Sequence, residues 1–158
     1  NPYFSLLPFA LNKGEAVIIE APDLPSDLIY KKSLTLIPFC EQGTFWAGSN
    51  YIWDFDDDKP TEEFRKSAEQ TLKSWLKVPF KIVDHKAAVR PATVERRPFV
   101  GLHPVYKNVG ILNGMGTKGC SLAPYFASQL AAHILYQAPI EKDADINRHS
   151  RILERTSV

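Results

Sequence analysis

Residues 109–124 read Val109-Gly-Ile-Leu-Asn113-Gly-Met-Gly-Thr-Lys-Gly-Cys-Ser121-Leu-Ala-Pro124. Glycines at positions 114, 116 and 119 give the G-x-G-x-x-G spacing of a dinucleotide-binding turn. An apolar strand, Val109–Asn113, leads into them, and the pattern predicts an apolar helix from Leu122 to Tyr136. This strand–turn–helix context favours ligand binding, because glycine permits close approach of the backbone and a helix N-terminus offers free N–H groups.

The same turn lies late in the chain, where a standard dinucleotide fold does not place it. That fold needs a further strand after the helix, ending in an acidic residue about 20 residues beyond the glycines. Glu141 and Asp143 lie at about that distance, but no strand leads to them. The turn therefore closes a fold rather than opening one, and a glycine-rich connection that binds nothing remains the alternative.

Composition bounds the class of protein. The chain has 158 residues, 44% of them apolar, which suits one globular domain with a real core. Its 19 basic and 18 acidic residues give a net charge of +1, so charge provides no case for nucleic acid as a partner. No apolar run reaches the length of about 18 residues that a membrane span needs. Cys40 and Cys120 are the only cysteines, which favours a reducing cytoplasm.

The order of predicted elements indicates an α+β fold, with a mostly antiparallel sheet and helices on one face. Alternation and turn signals predict an antiparallel meander of three strands, then a helix capped by Thr61, then further strands and the C-terminal helix. The predicted strands are Glu15–Ala21, Leu28–Ile37, Thr44–Gly48, Phe80–Arg90 (stopped by Pro91), Phe99–Gly101 and Val109–Asn113, and the first helix runs to Lys77.

Arg90 is a candidate for binding a substrate, although its residue type and position alone favour a surface arginine. An arginine at a strand end before a rigid proline turn is well placed to hold a carboxylate by a bidentate pair. The alternative is a surface arginine paired with Glu95.

Metal and hydrolase chemistry find little support. Asp54, Asp56 and Asp58 alternate like calcium ligands, but their loop lacks the central glycine and the bidentate glutamate. The four histidines have no zinc-ligand spacing. Ser121 lacks the context of a hydrolase nucleophile, and no base partner for Cys120 is visible.

Taken together, the later motifs resemble the C-terminal half of the FAD-dependent amino-acid oxidase family, which includes glycine, sarcosine and D-amino-acid oxidases. The matching residues are Arg90-Pro91-x-Thr93, Pro98-x-x-Gly101, Val109-x-Ile-Leu-Asn-Gly114 and Gly119-x-x-Leu122-Ala123-Pro124. Upstream, the markers of its substrate domain are Lys13-Gly14-Glu15, Ile37-Pro38, Gly48-Ser49 and Pro60-Thr61-Glu62-Glu63. The resemblance covers about residues 13 to 150.

The resemblance implies a division of the chain and a set of ligands. Residues 1–108 would be part of a substrate-binding domain, and residues 109–158 the last strand, glycine turn and helix of an FAD domain. Arg90 carries over as the partner of the substrate carboxylate. The residues that would pass beside the flavin ring are Gly114, Met115, Gly116, Thr117, Lys118, Gly119, Cys120 and Ser121.

The family's first G-x-G-x-x-G, which holds the FAD pyrophosphate, does not occur in these 158 residues. The isolated chain is therefore expected to lack FAD and activity. Some members carry an arginine in the glycine turn, where Thr117 and Lys118 stand here, and Phe39 stands where an arginine often follows the proline. The substrate is therefore given only as a small amine or amino acid. The chemistry comes mainly from the flavin, so no acid–base residue is assigned.

The rival interpretation is a free-standing ligand-binding or interaction domain that never holds a flavin. The predicted C-terminal helix also carries an apolar stripe that would be exposed in an isolated chain, so self-association is expected. The stripe consists of Leu122, Ala123, Phe126, Leu130, Ala131 and Ile134.

Overall fold

A computed structural model describes residues 2–155. They form an α+β fold, as predicted. The strands are β1 (Phe9–Glu20), β2 (Tyr30–Lys31), β3 (Thr35–Pro38), β4 (Thr44–Gly48), β5 (Lys81–Thr93), β6 (Phe99–Leu102) and β7 (Gly110–Asn113). The helices are α1 (Glu62–Lys73), α2 (Gly119–Tyr136) and α3 (Ser150–Leu153), with short 3₁₀ segments at Pro2–Phe4, Gly116–Lys118 and Ile146–His149.

The chain divides into two compact units, one of residues 12–90 and one of residues 2–11 together with 91–155. The division predicted at residue 108 concerns the domains of a whole protein and remains a prediction.

The first unit contains a five-stranded sheet of order β2-β3-β4-β1-β5. One face of this sheet is covered by α1, because alternate apolar residues of the strands meet the apolar stripe of the helix. The core consists of Val17, Ile19, Ala21, Leu24, Leu36, Phe45, Ala47, Phe64, Ala68 and Leu72. The opposite face of the sheet carries Arg90, whose surroundings are described below.

Strand pairing departs from the predicted meander. The final strand of that meander, β4, was placed correctly, but it pairs antiparallel with both β3 and β1, so β1 does not neighbour the strand that follows it in sequence. The predicted single strand Leu28–Ile37 is instead a tight hairpin, in which Tyr30 pairs with Leu36 across a turn at Lys32. Apolar residues continue on both sides of that turn, which is why alternation alone did not reveal it.

Several predicted boundaries were also wrong, and strand β1 begins at Phe9 rather than at Glu15. Helix α1 begins after the Thr61 cap, as predicted, but ends at Lys73 rather than Lys77. Trp75 and Leu76 pack against the core from the turn beyond it, which preserved the apolar spacing. Strand β5 continues through Pro91 to Thr93. A proline is tolerated there because β5 is an edge strand, where an N–H facing away from the sheet needs no partner.

The second unit contains the β6–β7 hairpin and α2. His103, which has no exposed surface, closes the hairpin loop, since its Nδ1 accepts hydrogen bonds from the N–H groups of Val105 and Tyr106 at 3.1 and 3.2 Å. A separate core forms around Phe99 and Ile146.

The apolar stripe predicted on α2 is only partly exposed. Phe126 is buried, and Leu122 and Leu130 pack beside it against Val100, Ile140 and other residues of the same unit. The prediction missed this contact because Ile140 lies in the short irregular segment after the helix.

Candidate functional site

The glycine turn joins β7 to α2. Its first two glycines adopt backbone angles that other residues rarely adopt. Gly114 has φ +77° and Gly116 has φ +56°, values that residues with a Cβ rarely adopt. A Cβ at Gly114 would also press on the methyl group of Thr93. Helix α2 begins at Gly119 rather than at Leu122, so Cys120 and Ser121, predicted in the turn, belong to its first turn. Glycine is a poor helix former, which explains the late start predicted from the sequence.

Nothing in the described residues requires a glycine at position 119. Its backbone is helical, and a Cβ there would meet nothing within 4 Å, as is also the case at Gly116. No side chain caps either the 3₁₀ segment or the N-terminus of α2. The turn therefore presents open backbone with uncapped N–H groups, which is an arrangement that suits an electron-rich or anionic ligand.

A cavity of about 480 Å³ lies beside this turn, and the residues that line it belong to the second unit. Its lining includes Thr93, Arg96, Gly114, Met115, Gly116, Thr117, Lys118 and Leu122. Of the other predicted contacts, Cys120 is exposed as a free thiol, and the Ser121 hydroxyl donates to the Lys118 carbonyl at 3.0 Å.

Arg90 lies on the open face of the five-stranded sheet and is half-buried. Its Nη1 donates to Oδ1 of Asn12 at 2.7 Å and to the carbonyl of Asn50 at 3.2 Å. Its Nη2 donates to the hydroxyl of Ser49 at 2.8 Å. The guanidinium carbon lies 4.6 Å from the ring centre of Tyr51, within the range of a cation–π contact.

All the acceptors around Arg90 are neutral. Within residues 2–155 the guanidinium has no carboxylate partner, and Glu95 instead lies beside Arg148, with 3.5 Å between Oε2 and Nε. The alternative of a surface pair between Arg90 and Glu95 is therefore wrong. Three hydrogen bonds engage three of the five N–H groups that a guanidinium carries, which leaves Nε–H and one Nη2–H to bind an anion.

A cavity of about 360 Å³ adjoins Arg90 on this face. Small residues on β1 and β5 form its floor, and the Trp46 ring bounds it; its lining includes Gly14, Ala16, Trp46, Ser49, Lys86, Ala88 and Arg90. Lys86 is already paired, at 2.7 Å from Oδ2 of Asp84, and this hydrogen bond lowers the pKa of the Asp84 carboxyl. Arg90 is thus the unpaired cation of the cavity.

A buried polar network lies on the α1 side of the sheet, and no sequence pattern predicted it. The carboxylate of Glu15 has no exposed surface and accepts from the backbone N–H of Thr61 at 2.7 Å and from its hydroxyl at 3.0 Å. His85 Nε2 lies 3.1 Å from the same carboxylate. Lys13, only 3% exposed, lies 3.6 Å from Asp57. The only available signal was that Lys13, Glu15 and Thr61 fall in segments that resemble family markers.

Two absences concern the described residues 2–155. No group of three or more histidine, cysteine or acidic side chains is arranged to hold a metal ion there. No helix in that range has both the length and the apolar character needed to cross a bilayer.

Comparison with known proteins gives a family and a fold. The model of the FAD dependent oxidoreductase family (DAO) matches residues 3–133. Similar solved structures include iminodiacetate oxidase from a Chelativorans species (TM-score 0.67, 18% identity, 87% of this chain and 40% of that one). Glycine oxidase from Bacillus cereus follows with a TM-score of 0.64 and 17% identity, over 83% of this chain and 37% of that one.

L-proline dehydrogenase from P. horikoshii is similar to the same extent, with a TM-score of 0.64 and 21% identity, over 92% of this chain and 41% of that one. At these identities the likeness shows the fold. The chain spans about 40% of the length of the solved structures that it matches.

Proposed function

Because this chain belongs to the family of FAD dependent oxidoreductases, we propose that it is the substrate-binding and C-terminal part of an enzyme that oxidises an amine or amino acid. In this proposal residues 1–108 belong to the substrate-binding domain, and residues 109–158 complete an FAD domain. The two free, exposed cysteines, Cys40 and Cys120, fit a reducing compartment, so we place the enzyme in the cytoplasm.

The glycine turn fits a flavin ring. Gly116 and Gly119 keep side chains away from the backbone, and the N-termini of the 3₁₀ segment and α2 have no side-chain caps. The residues that would hold the cofactor are Gly114, Met115, Gly116, Thr117, Lys118, Gly119, Cys120 and Ser121. When bound, FAD supplies the acceptor for a hydride from the amine carbon of the substrate. The N–H groups and dipole of α2 are suited to stabilise negative charge next to them.

The substrate assignment depends on one observation, which is that Arg90 is a half-buried cation with neutral acceptors only. A guanidinium stays protonated in proteins, so its charge is uncompensated within the described residues. Hydrogen bonds from Nη1 and Nη2 to Asn12 and Ser49 fix the plane of the group. The remaining N–H groups are matched to a carboxylate, whose two oxygens accept parallel hydrogen bonds. We therefore assign Arg90 to the carboxylate of an amino-acid substrate.

The test is to isolate the full-length protein that contains this chain. Its upstream sequence should hold a G-x-G-x-x-G about two hundred residues earlier, following the family layout. The purified protein should carry one FAD per chain and be reduced anaerobically by at least one member of a panel of amines and amino acids. Residues 1–158 alone should be colourless. A full-length protein that never holds flavin would favour the rival interpretation, a ligand-binding domain without redox activity.

A further inference from the structure

Gly14 occupies an unusual place for a glycine, in the middle of the long strand β1. Its φ lies outside the left-handed region, so the backbone does not require glycine there. Glycine inside a strand weakens the strand relative to alanine, and commonly marks a site where another group approaches the backbone closely. The reason for this glycine must therefore be sought in its surroundings.

That neighbouring group is the guanidinium of Arg90. A Cβ built on Gly14 would overlap three guanidinium atoms, which are Nη2, Cζ and Nη1. The guanidinium lies directly against the backbone of Gly14, in the space that any other residue would fill. From this position it reaches Oδ1 of Asn12, two residues earlier on the same face of β1, and the hydroxyl of Ser49.

We propose that Gly14 is a positioning residue, whose missing side chain provides the seat in which the Arg90 guanidinium is held for the substrate carboxylate. This inference rests on the substrate role proposed for Arg90. In this seat Nη1 donates to Asn12 and Asn50 and Nη2 donates to Ser49, which leaves Nε–H and one Nη2–H for the substrate. A side chain at position 14 would displace the guanidinium and break its hydrogen bonds to Asn12, Asn50 and Ser49.

A double-mutant cycle in the full-length protein with FAD bound tests the proposal. The variants are Gly14→Ala, Arg90→Ala and the combination, assayed with the best amino-acid substrate and with the amine that lacks its carboxylate. Gly14→Ala should lower kcat/KM for the amino acid by about 10- to 100-fold, the loss expected for one hydrogen bond to a charged group. For the amine the change should stay within about threefold, which a merely structural defect would not achieve.

The Arg90→Ala background supplies the decisive comparison, because removing the guanidinium vacates the space beside Gly14. There Gly14→Ala should change kcat/KM by less than about twofold, since residues in contact are coupled in such cycles. Thermal unfolding gives a second readout: the change in Tm caused by Gly14→Ala should be less favourable when Arg90 is present than when Arg90 is alanine, because only in the first case must the guanidinium move aside. If Gly14→Ala alone does not fold, recovery of folding in the double variant supports the same contact.

Gly110→Ala is a matched control. Gly110 also lies in a strand with an ordinary φ, and its Cβ would meet a terminal methyl of Leu102 at 3.2 Å and the carbonyl oxygen of Gly101 at 3.4 Å, but no charged group. It should leave the preference for the amino acid over the amine unchanged. Equal losses from Gly14→Ala with and without Arg90, or no loss from Gly14→Ala, would overturn the role of Gly14 while leaving that of Arg90 intact. If the Arg90 variants themselves keep the preference, the proposed function of Arg90 fails and the positioning role fails with it.

Discussion

His85 Nε2 lies 3.1 Å from Oε2 of Glu15, a carboxylate with no exposed surface. The contact is a close electrostatic one, not an aligned hydrogen bond, and the His85 ring stacks on Phe64 of α1 with a centroid separation of 5.6 Å. The same carboxylate receives the N–H and hydroxyl of Thr61, the residue that caps α1. Glu15 thus joins β1 and β5 to the start of the helix.

Glu15→Ala should destabilise the protein strongly, because it leaves the N–H and hydroxyl of Thr61 without their buried acceptor and removes the carboxylate beside His85. We expect a loss of about 3 kcal/mol in the free energy of unfolding, measured by chemical denaturation at neutral pH. Glu15→Gln retains one oxygen for Thr61 and should cost about 1 kcal/mol. Equal losses for the two variants would mean that one amide oxygen cannot replace the carboxylate, since glutamine preserves the volume of the side chain.

Arg90→Lys should impair the full-length enzyme as Arg90→Ala does. Lysine keeps the charge but loses the planar fork that engages Asn12, Ser49 and a carboxylate at once. The loss of one charge-assisted hydrogen bond, about 1.5–3 kcal/mol, predicts a fall in kcat/KM of about one to two decades for an amino acid. Steady-state kinetics with the amino acid and its decarboxylated amine measure this directly.

Flavin content is the control for the Arg90 variants, since the arginine is assigned to substrate and should leave FAD binding unchanged. The amine, which has no carboxylate, should lose little activity in either variant. Equal losses on both substrates, or none on either, would remove Arg90 from the carboxylate role.

Residues with local signals were predicted well from the sequence. Strand β4, the Thr61 cap and the strand–turn–helix around Gly116 depend on neighbours in the chain; the first two were placed correctly, and the third was predicted in the right order although α2 begins three residues earlier than predicted. The environment of Arg90 was not predictable in this way, because Asn12 lies 78 residues away and only the pairing within the sheet brings it close. The same holds for Glu15 and His85, whose spacing carries no pattern.

Stability should fall as the pH drops below about 6.5, in part because of His149. Burial lowers the pKa of His149, and the neighbouring Arg148 cation lowers it further, against a smaller opposing effect of Glu95. Below its ordinary pKa of about 6.5 the unfolded chain binds the proton more readily than the folded chain, so acidification favours unfolding until the folded pKa is reached. Above about pH 6.5 His149 is mostly neutral in both the folded and the unfolded chain, so the stability of the folded chain is no longer reduced by this residue.

His149→Gln, which cannot take up the proton, should reduce this pH dependence. The measurement is the free energy of unfolding by denaturant at about pH 7.5 and pH 5.5, compared between the two proteins. The carboxyl groups of Glu69 and Asp84, whose pKa values are lowered, titrate below this window and do not interfere. An identical pH dependence in the variant would show that His149 does not contribute.

One side of α2 carries apolar residues that the described chain leaves uncovered. Phe126 faces the core of its own unit, whereas Ile134 and Leu135 are 56% and 68% exposed, and Ala127 and Ala131 lie exposed on the preceding turns. Helical spacing places these four residues on neighbouring parts of one surface. Exposed apolar surfaces of this kind mark contacts with other protein, which in the proposed enzyme would be the rest of the FAD domain.

The isolated chain of residues 1–158 should therefore self-associate through this surface of α2, because no other part of the described chain covers it. Sedimentation velocity over a range of concentrations should show a dimer or larger species that grows with concentration. Leu135→Glu places a charge on the most exposed large apolar residue of this surface and should shift the distribution to monomer, since burying an unpaired carboxylate is costly. Gln70→Glu, which adds the same charge to an exposed position of α1, should have no effect. A chain that stays monomeric at the highest concentration, or two variants that behave alike, would show that this surface is not what drives association.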